Sequence, residues 1–171
     1  MIKNHMTLFM MLLVTLAGIP MVQAQEGKTR EAPVEVAQAQ QAPAECSPTP
    51  RDAMGPYYEP DAPMRSRVGE GYTLSGVVRS AGDCSALEGA MIELWMTGPD
   101  GRYADEYRAR MRSGENGNYR FESHMPGAYG SRPPHIHIRV TAPGHEPLVT
   151  QHYPEENSSA GTMNLVLRED G

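Results

Sequence analysis

The sequence predicts an all-β fold, a single β-sandwich of about six to eight short strands joined by long loops. Three observations lead there. No stretch keeps a helical period over ten or more residues. Several short segments are rich in β-branched residues and alternate apolar with polar side chains, the pattern of a half-buried strand. Turn dipeptides separate these segments at short intervals, as in a sandwich and unlike the long crossovers of a parallel sheet.

Taken in order, residues 1–24 read as a secretory signal. Lys3 gives the positive start, residues 7–17 form an apolar run, and Val22-Gln23-Ala24 is a small-residue cleavage site. The run is short for a membrane span, and an uncleaved anchor is the alternative. Residues 25–45 are rich in Ala, Gln, Pro and Glu, lack aromatics and cannot bury enough apolar surface to order themselves, so a disordered tether is expected. The domain is expected over 46–171. Gly55-Pro56-Tyr57-Tyr58-Glu59-Pro60 reads as an extended loop, with Tyr57 and Tyr58 suited to anchoring it by aromatic burial.

Strands are expected over 72–79, 90–96, 118–123, from His135 onward, over 148–153 and over 162–168. Gly82-Asp83, Asp100-Gly101 and Asn116-Gly117 are the turns, the last a strong hairpin signal. Within 90–96, Ala90, Ile92, Leu94 and Met96 share one parity, and Met91, Glu93 and Trp95 the other. Trp95 reads as a core or core-edge residue.

Cleavage after residue 24 would leave 147 of the 171 residues and move the net charge from −6 to −7. An acidic chain without a basic cluster argues against a nucleic acid or an anionic membrane as partner. Homo-oligomerisation is left open. Cys46 and Cys84 suit an oxidising compartment, periplasmic or extracellular. A disulfide between them would span 38 residues and contribute up to about 4 kcal/mol on the chain-entropy model. Two free thiols are the alternative.

The chemistry centres on Arg132-Pro133-Pro134-His135-Ile136-His137-Ile138-Arg139-Val140. Ile136, Ile138 and Val140 share one parity, so they can enter a core while His135 and His137 stand on the other face. Alone, His-x-His fits a polar strand face as well as a metal site. Around it lie Pro126-Gly127-Ala128-Tyr129, Gly101-Arg102-Tyr103 and Thr150-Gln151-His152-Tyr153. Two tyrosines and two histidines could make a four-ligand pocket. A phenol keeps its proton to a pKa of about 10 unless a highly charged cation displaces it. Hard anionic oxygen with imidazole therefore points to ferric iron, Fe(3+), more than to zinc or Cu(I).

These pieces, with Ile92-Glu93-Leu94-Trp95 and Gly117-Asn118-Tyr119-Arg120-Phe121, resemble the intradiol ring-cleavage dioxygenases, specifically the catalytic β-sandwich of protocatechuate 3,4-dioxygenases and catechol 1,2-dioxygenases. They follow the family order over residues 50–155. The resemblance implies Tyr103, Tyr129, His135 and His137 as ferric ligands, Arg132 beside the aromatic ring, Gln151 close to the site and Tyr57 near substrate. Tyr107 is a rival to Tyr103. Without the resemblance, Tyr129 fits a loop anchor, Arg132 a surface ion pair and Gln151 a strand-edge bond. His124, His145 and His152 read as ordinary polar positions. The implied activity is insertion of both atoms of O2 between the hydroxylated carbons of a catechol, giving a muconate-type dicarboxylate. A periplasmic copper- or iron-binding module without ring cleavage is the competing reading.

Overall fold

The computed structural model describes residues 46–171; the expected leader and tether lie outside them. Eight strands and no α-helix occur among the described residues. They are β1 (Tyr72–Ser80), β2 (Met91–Thr97), β3 (Tyr103–Arg112), β4 (Asn118–Ser123), β5 (Ile136–Thr141), β6 (Leu148–His152), β7 (Ala160–Thr162) and β8 (Leu165–Leu167). One sheet places β1 at its centre, antiparallel to β4 and parallel to β7 and β8. The other is fully antiparallel in the order β3-β2-β5-β6.

Alternation drives the packing. Leu74, Val78 and Phe121 from the first sheet meet Ile92, Leu94, Met96, Ile136, Ile138 and Val140 from the second in one apolar core. All but Leu94 are fully buried, and Leu94 nearly so. Each such side chain contributes about 2 kcal/mol by leaving water.

Two strands depart from the sequence expectation. No strand is expected between residues 96 and 118, yet Tyr103–Arg112 forms the ten-residue β3. It is the edge of its sheet, where charge is favoured because it blocks pairing with another chain. The single strand expected over 162–168 is instead two, β7 and β8. Between them, the Asn164 side chain turns back to accept a hydrogen bond from the Val77 amide at 3.1 Å.

The opposite edge, β6, is covered. Cys46 is bridged to Cys84, as the oxidising reading expects. From there the chain runs as a strap along β8 and β6. The Thr49 amide donates to the Val166 carbonyl (3.0 Å) and the Asp52 amide to the Val149 carbonyl (2.9 Å). Thr150 donates its hydroxyl to the Pro50 carbonyl (2.9 Å). The strap then crosses to β3, where the Arg65 amide reaches the Arg110 carbonyl at 3.0 Å. The second sheet is therefore roofed on the face turned away from the core.

Candidate metal centre

That roofed face carries the site. β2 and β5 pair so that Trp95 stands opposite His137 and Glu93 opposite Arg139. These four residues share the parity that the core does not use. His135 lies one residue before β5, not within it as the alternation suggests. Its Nδ1 donates to the Pro133 carbonyl at 2.7 Å. A carbonyl can only accept, so this nitrogen carries the proton and Nε2 presents a bare lone pair.

Three donor atoms converge. The Tyr103 hydroxyl lies 3.1 Å from His135 Nε2 and 3.0 Å from His137 Nε2, and the two Nε2 atoms are 3.1 Å apart. Both imidazoles are buried. Burial, helped by the neighbouring His135, pushes the His137 pKa down to about 4, although the Ala53 backbone pulls weakly upward; its ring is neutral at pH 7. Burial also pushes the Tyr103 phenol up to about 12, against the pull of Arg132. There are too few protons for three mutual contacts, whichever tautomer His137 adopts. A cation among the three atoms removes that conflict. Ligands bound at right angles at about 2.1 Å stand about 3.0 Å apart, so the observed spacing fits a metal's coordination shell. Among the described residues no group of three or more His, Cys, Asp or Glu side chains is placed to hold a metal, and a phenol has to complete this set.

Tyr129 adjoins the triangle, packed edge-on against Tyr103 at 5.5 Å between ring centres. Its hydroxyl is 2.5 Å from that of Tyr57. Tyr57, from the strap, stacks on Tyr103 at 4.4 Å. The bond to Tyr129 holds the Tyr57 pKa above its ordinary value, with a smaller push from burial. Arg132 Nη2 donates to Gln151 Oε1 (2.7 Å) and to the Tyr153 hydroxyl (2.8 Å). Gln151 Nε2 in turn holds the Ala53 carbonyl at 2.5 Å.

Tyr103, Tyr129, His135, His137, Arg132, Gln151 and Tyr57 thus occupy one neighbourhood. Tyr107 is elsewhere, edge-on to His124, whose Nε2 reaches the Thr97 carbonyl at 3.1 Å. His152 pairs with the Tyr72 hydroxyl at 2.6 Å, and His145 with the Pro143 carbonyl at 2.9 Å. Arg51 pairs with Glu146, Arg67 with Glu70 and Glu122, and Arg65 bonds the backbone of β3.

Sequence reasoning missed several contributors. Trp95 is buried as expected, but against His137 and outside the core cluster. The signal was available: its parity in β2 is that of Glu93. Tyr153 follows Gln151 by two residues and so shares its side of the chain. Asp52 accepts from the Tyr153 hydroxyl at 3.1 Å, a contact created by the strap and carrying no local signal.

The class so defined is an all-β sandwich whose roofed face holds a buried imidazole pair, with one phenol converging on it and a second beside it. No family model matches the chain. A chlorocatechol 1,2-dioxygenase of Cupriavidus pinatubonensis is 32% identical, the match covering 58% of this chain and 52% of the relative. The chain spans about half the length of the curated relatives it matches. Among solved structures, the dioxygenase domain of a dioxygenase carbohydrate-binding protein fusion from Streptomyces sp. SirexAA-E superposes with a TM-score of 0.65 at 28% identity, covering 72% of this chain and 100% of that one. Chlorocatechol 1,2-dioxygenase from Pseudomonas putida gives a TM-score of 0.59 at 25% identity, covering 67% and 70%. In sequence and in fold the chain is thus similar to the intradiol ring-cleavage dioxygenases.

Proposed function

We propose that this domain is a nonhaem iron(III) intradiol dioxygenase, an oxidoreductase that inserts both atoms of O2 between the hydroxylated carbons of a catechol and yields a muconate-type dicarboxylate. The observation that carries the reading is the convergence of the Tyr103, His135 and His137 donor atoms at 3.0–3.1 Å beside the Tyr129 phenol. These four side chains would hold the ferric ion. When bound, the ion supplies Lewis acidity and draws electron density from the catechol, which opens a ring carbon to O2.

The chain's own residues do the rest. His135 and His137 offer ring-nitrogen lone pairs through Nε2. Tyr129 is the more exposed phenol and contacts Tyr57; held as a phenolate, its own proton already displaced to solvent by the cation, it would be the one able to accept a proton from the incoming diol. The Tyr57 hydroxyl then donates to whichever Tyr129 oxygen state needs it. Arg132, fixed by Gln151 and Tyr153, brings a permanent positive charge that favours anionic character on the ring. Met54, Tyr57, Tyr129 and Tyr153 are exposed large apolar side chains and suit an aromatic substrate. The Cys46–Cys84 bridge supports an exported protein, periplasmic or secreted.

The deciding experiment is oxygen uptake by iron-loaded protein with a panel of catechols, followed by identification of the product. A cis,cis-dicarboxylate formed with equimolar uptake is expected. Iron-loaded protein that has a phenolate-to-Fe(III) colour band yet consumes no oxygen with any catechol would refute ring cleavage and leave a metal-binding module.

A further inference from the structure

We infer that Trp95 and the Gly55 backbone form a packing clamp that sets the plane of the His137 ring, and that Trp95 is therefore a positioning residue for this ligand. The inference rests on the metal-site reading above.

The two imidazoles are held by different means. A metal-binding histidine ordinarily donates its second ring nitrogen to a carbonyl or carboxylate, which fixes its tautomer and orientation. His135 does so through Pro133. His137 lacks such a bond: its Nδ1 is buried with no partner in good hydrogen-bonding geometry, the Ala53 backbone on that side making only a weaker contact. The Ala53 carbonyl on that side is held by Gln151 at 2.5 Å. What touches the His137 ring instead is surface. The Trp95 indole lies parallel to it, 3° between planes and 4.9 Å between centres. Such a face-on arrangement resists ring rotation about the Cβ–Cγ bond, since any turn drives one edge into the indole. From the strap, Gly55 presses so close that a Cβ there would lie 3.0 Å from His137 Cε1 and 3.4 Å from Nε2. A Cβ there would push the ring by a few tenths of an ångström, and the backbone has the positive φ of 73° that glycine adopts freely.

The indole is itself braced. Tyr58 packs against it at 5.1 Å, and the Tyr58 hydroxyl donates to the Glu93 carboxylate at 3.2 Å. Glu93 pairs with Arg139, the residue opposite it on β5. Trp95 Nε1 is also buried without a partner, so the indole is held by its faces and not by its N–H. The cross-strand pairs Trp95–His137 and Glu93–Arg139 thus form one stacked unit under the strap.

The test compares wild type, Trp95→Leu and Trp95→Phe. Each is titrated with ferric ion supplied as its citrate complex, and binding is read from the phenolate-to-Fe(III) band. Trp95→Leu is expected to weaken ferric binding by roughly 10- to 100-fold and to shift the band, the usual size of losing an orienting contact to a metal ligand. Trp95→Phe, which keeps a stacking face, is expected to restore most of both. Melting of the metal-free proteins separates this from lost stability, because a purely structural role would lower the melting temperature without moving the band of the folded, loaded protein. Ferric binding by Trp95→Leu equal to wild type, or a Trp95→Phe protein as impaired as the leucine variant, overturns the clamp. If Trp95→Leu does not fold, wild type still decides. Trp95 is the only tryptophan in the chain, and its emission should fall in step with growth of the band. A band that grows with no loss of emission overturns the clamp, whereas wild-type protein that acquires no band at all overturns the iron reading beneath it.

Discussion

Replacing both Cys46 and Cys84 by serine should cost the domain much of its stability while leaving the pocket assembled. The bridge joins residues 38 apart. Removing it returns loop-closure entropy to the unfolded chain, worth about 4 kcal/mol at this length. For a domain of this size that corresponds to a fall of roughly 15 °C in melting temperature. The pocket should survive because the strap is tied down again beyond the bridge. The Thr49 amide bonds Val166, the Asp52 amide bonds Val149, and Ala53 is held by Gln151. Gly55 and Tyr57, which touch His137 and Tyr103, lie downstream of all three ties. The assay is thermal unfolding followed by circular dichroism, with and without dithiothreitol, alongside ferric titration. Wild type should drop to the level of the double variant in reductant, and the variant should be indifferent to it. A double variant that melts together with oxidised wild type refutes the loop-entropy argument. One that has lost ferric binding while folded refutes the claim that the downstream ties hold the roof.

Three further outcomes follow from the geometry. Tyr103→Phe should abolish the phenolate band or shift it strongly, while Tyr107→Phe should leave it unchanged, since Tyr107 faces His124; difference spectra of the loaded proteins decide. Glu93→Gln removes the buried partner of Arg139 and weakens the Tyr58 bond, and should lower stability by about 1–3 kcal/mol in urea titrations. Acid should destabilise the metal-free protein. His137 is held down to about 4 and His152 is also depressed, both chiefly by burial. The unfolded chain takes up these protons below about pH 6.5, the folded chain only at lower pH. Their contribution is therefore complete above pH 6.5 and declines on acidification, His137 alone losing roughly 3 kcal/mol by pH 4. A His137→Asn variant should flatten that slope, and a wild-type stability that stays level from pH 7 to pH 4.5 would contradict it.

The alternating residues were legible because one face of each strand has to be apolar. Ile136, Ile138 and Val140 announce β5, and Tyr119 and Phe121 announce β4, from their spacing alone. β3 was not, because an edge strand needs only one buried face over part of its length, here Ala109 and Met111, and its remaining residues carry charge. At the site, the sequence brought the tyrosines and histidines into view as types, and the family resemblance singled out which. What it did not carry was the strap. Asp52, Gly55 and Tyr58 act on residues roughly 35 to 100 positions away, and no local period encodes a contact of that range. Trp95 was legible in parity and misread in partner, since parity tells which face a side chain takes but not that the second face would also be covered.

The pairing of the ends has its own consequence. Val166 donates its amide to the Thr49 hydroxyl at 2.8 Å across 117 positions, and β8 lies parallel to β1. Contacts of such separation form late, because a long segment has to be brought round before they repay the lost freedom. As the chain grows from its amino end, β1 therefore lacks its parallel neighbours, and the strap its Thr49–Val166 tie, until residues 160–167 emerge, whereas the ties to β3 and β6 are available earlier.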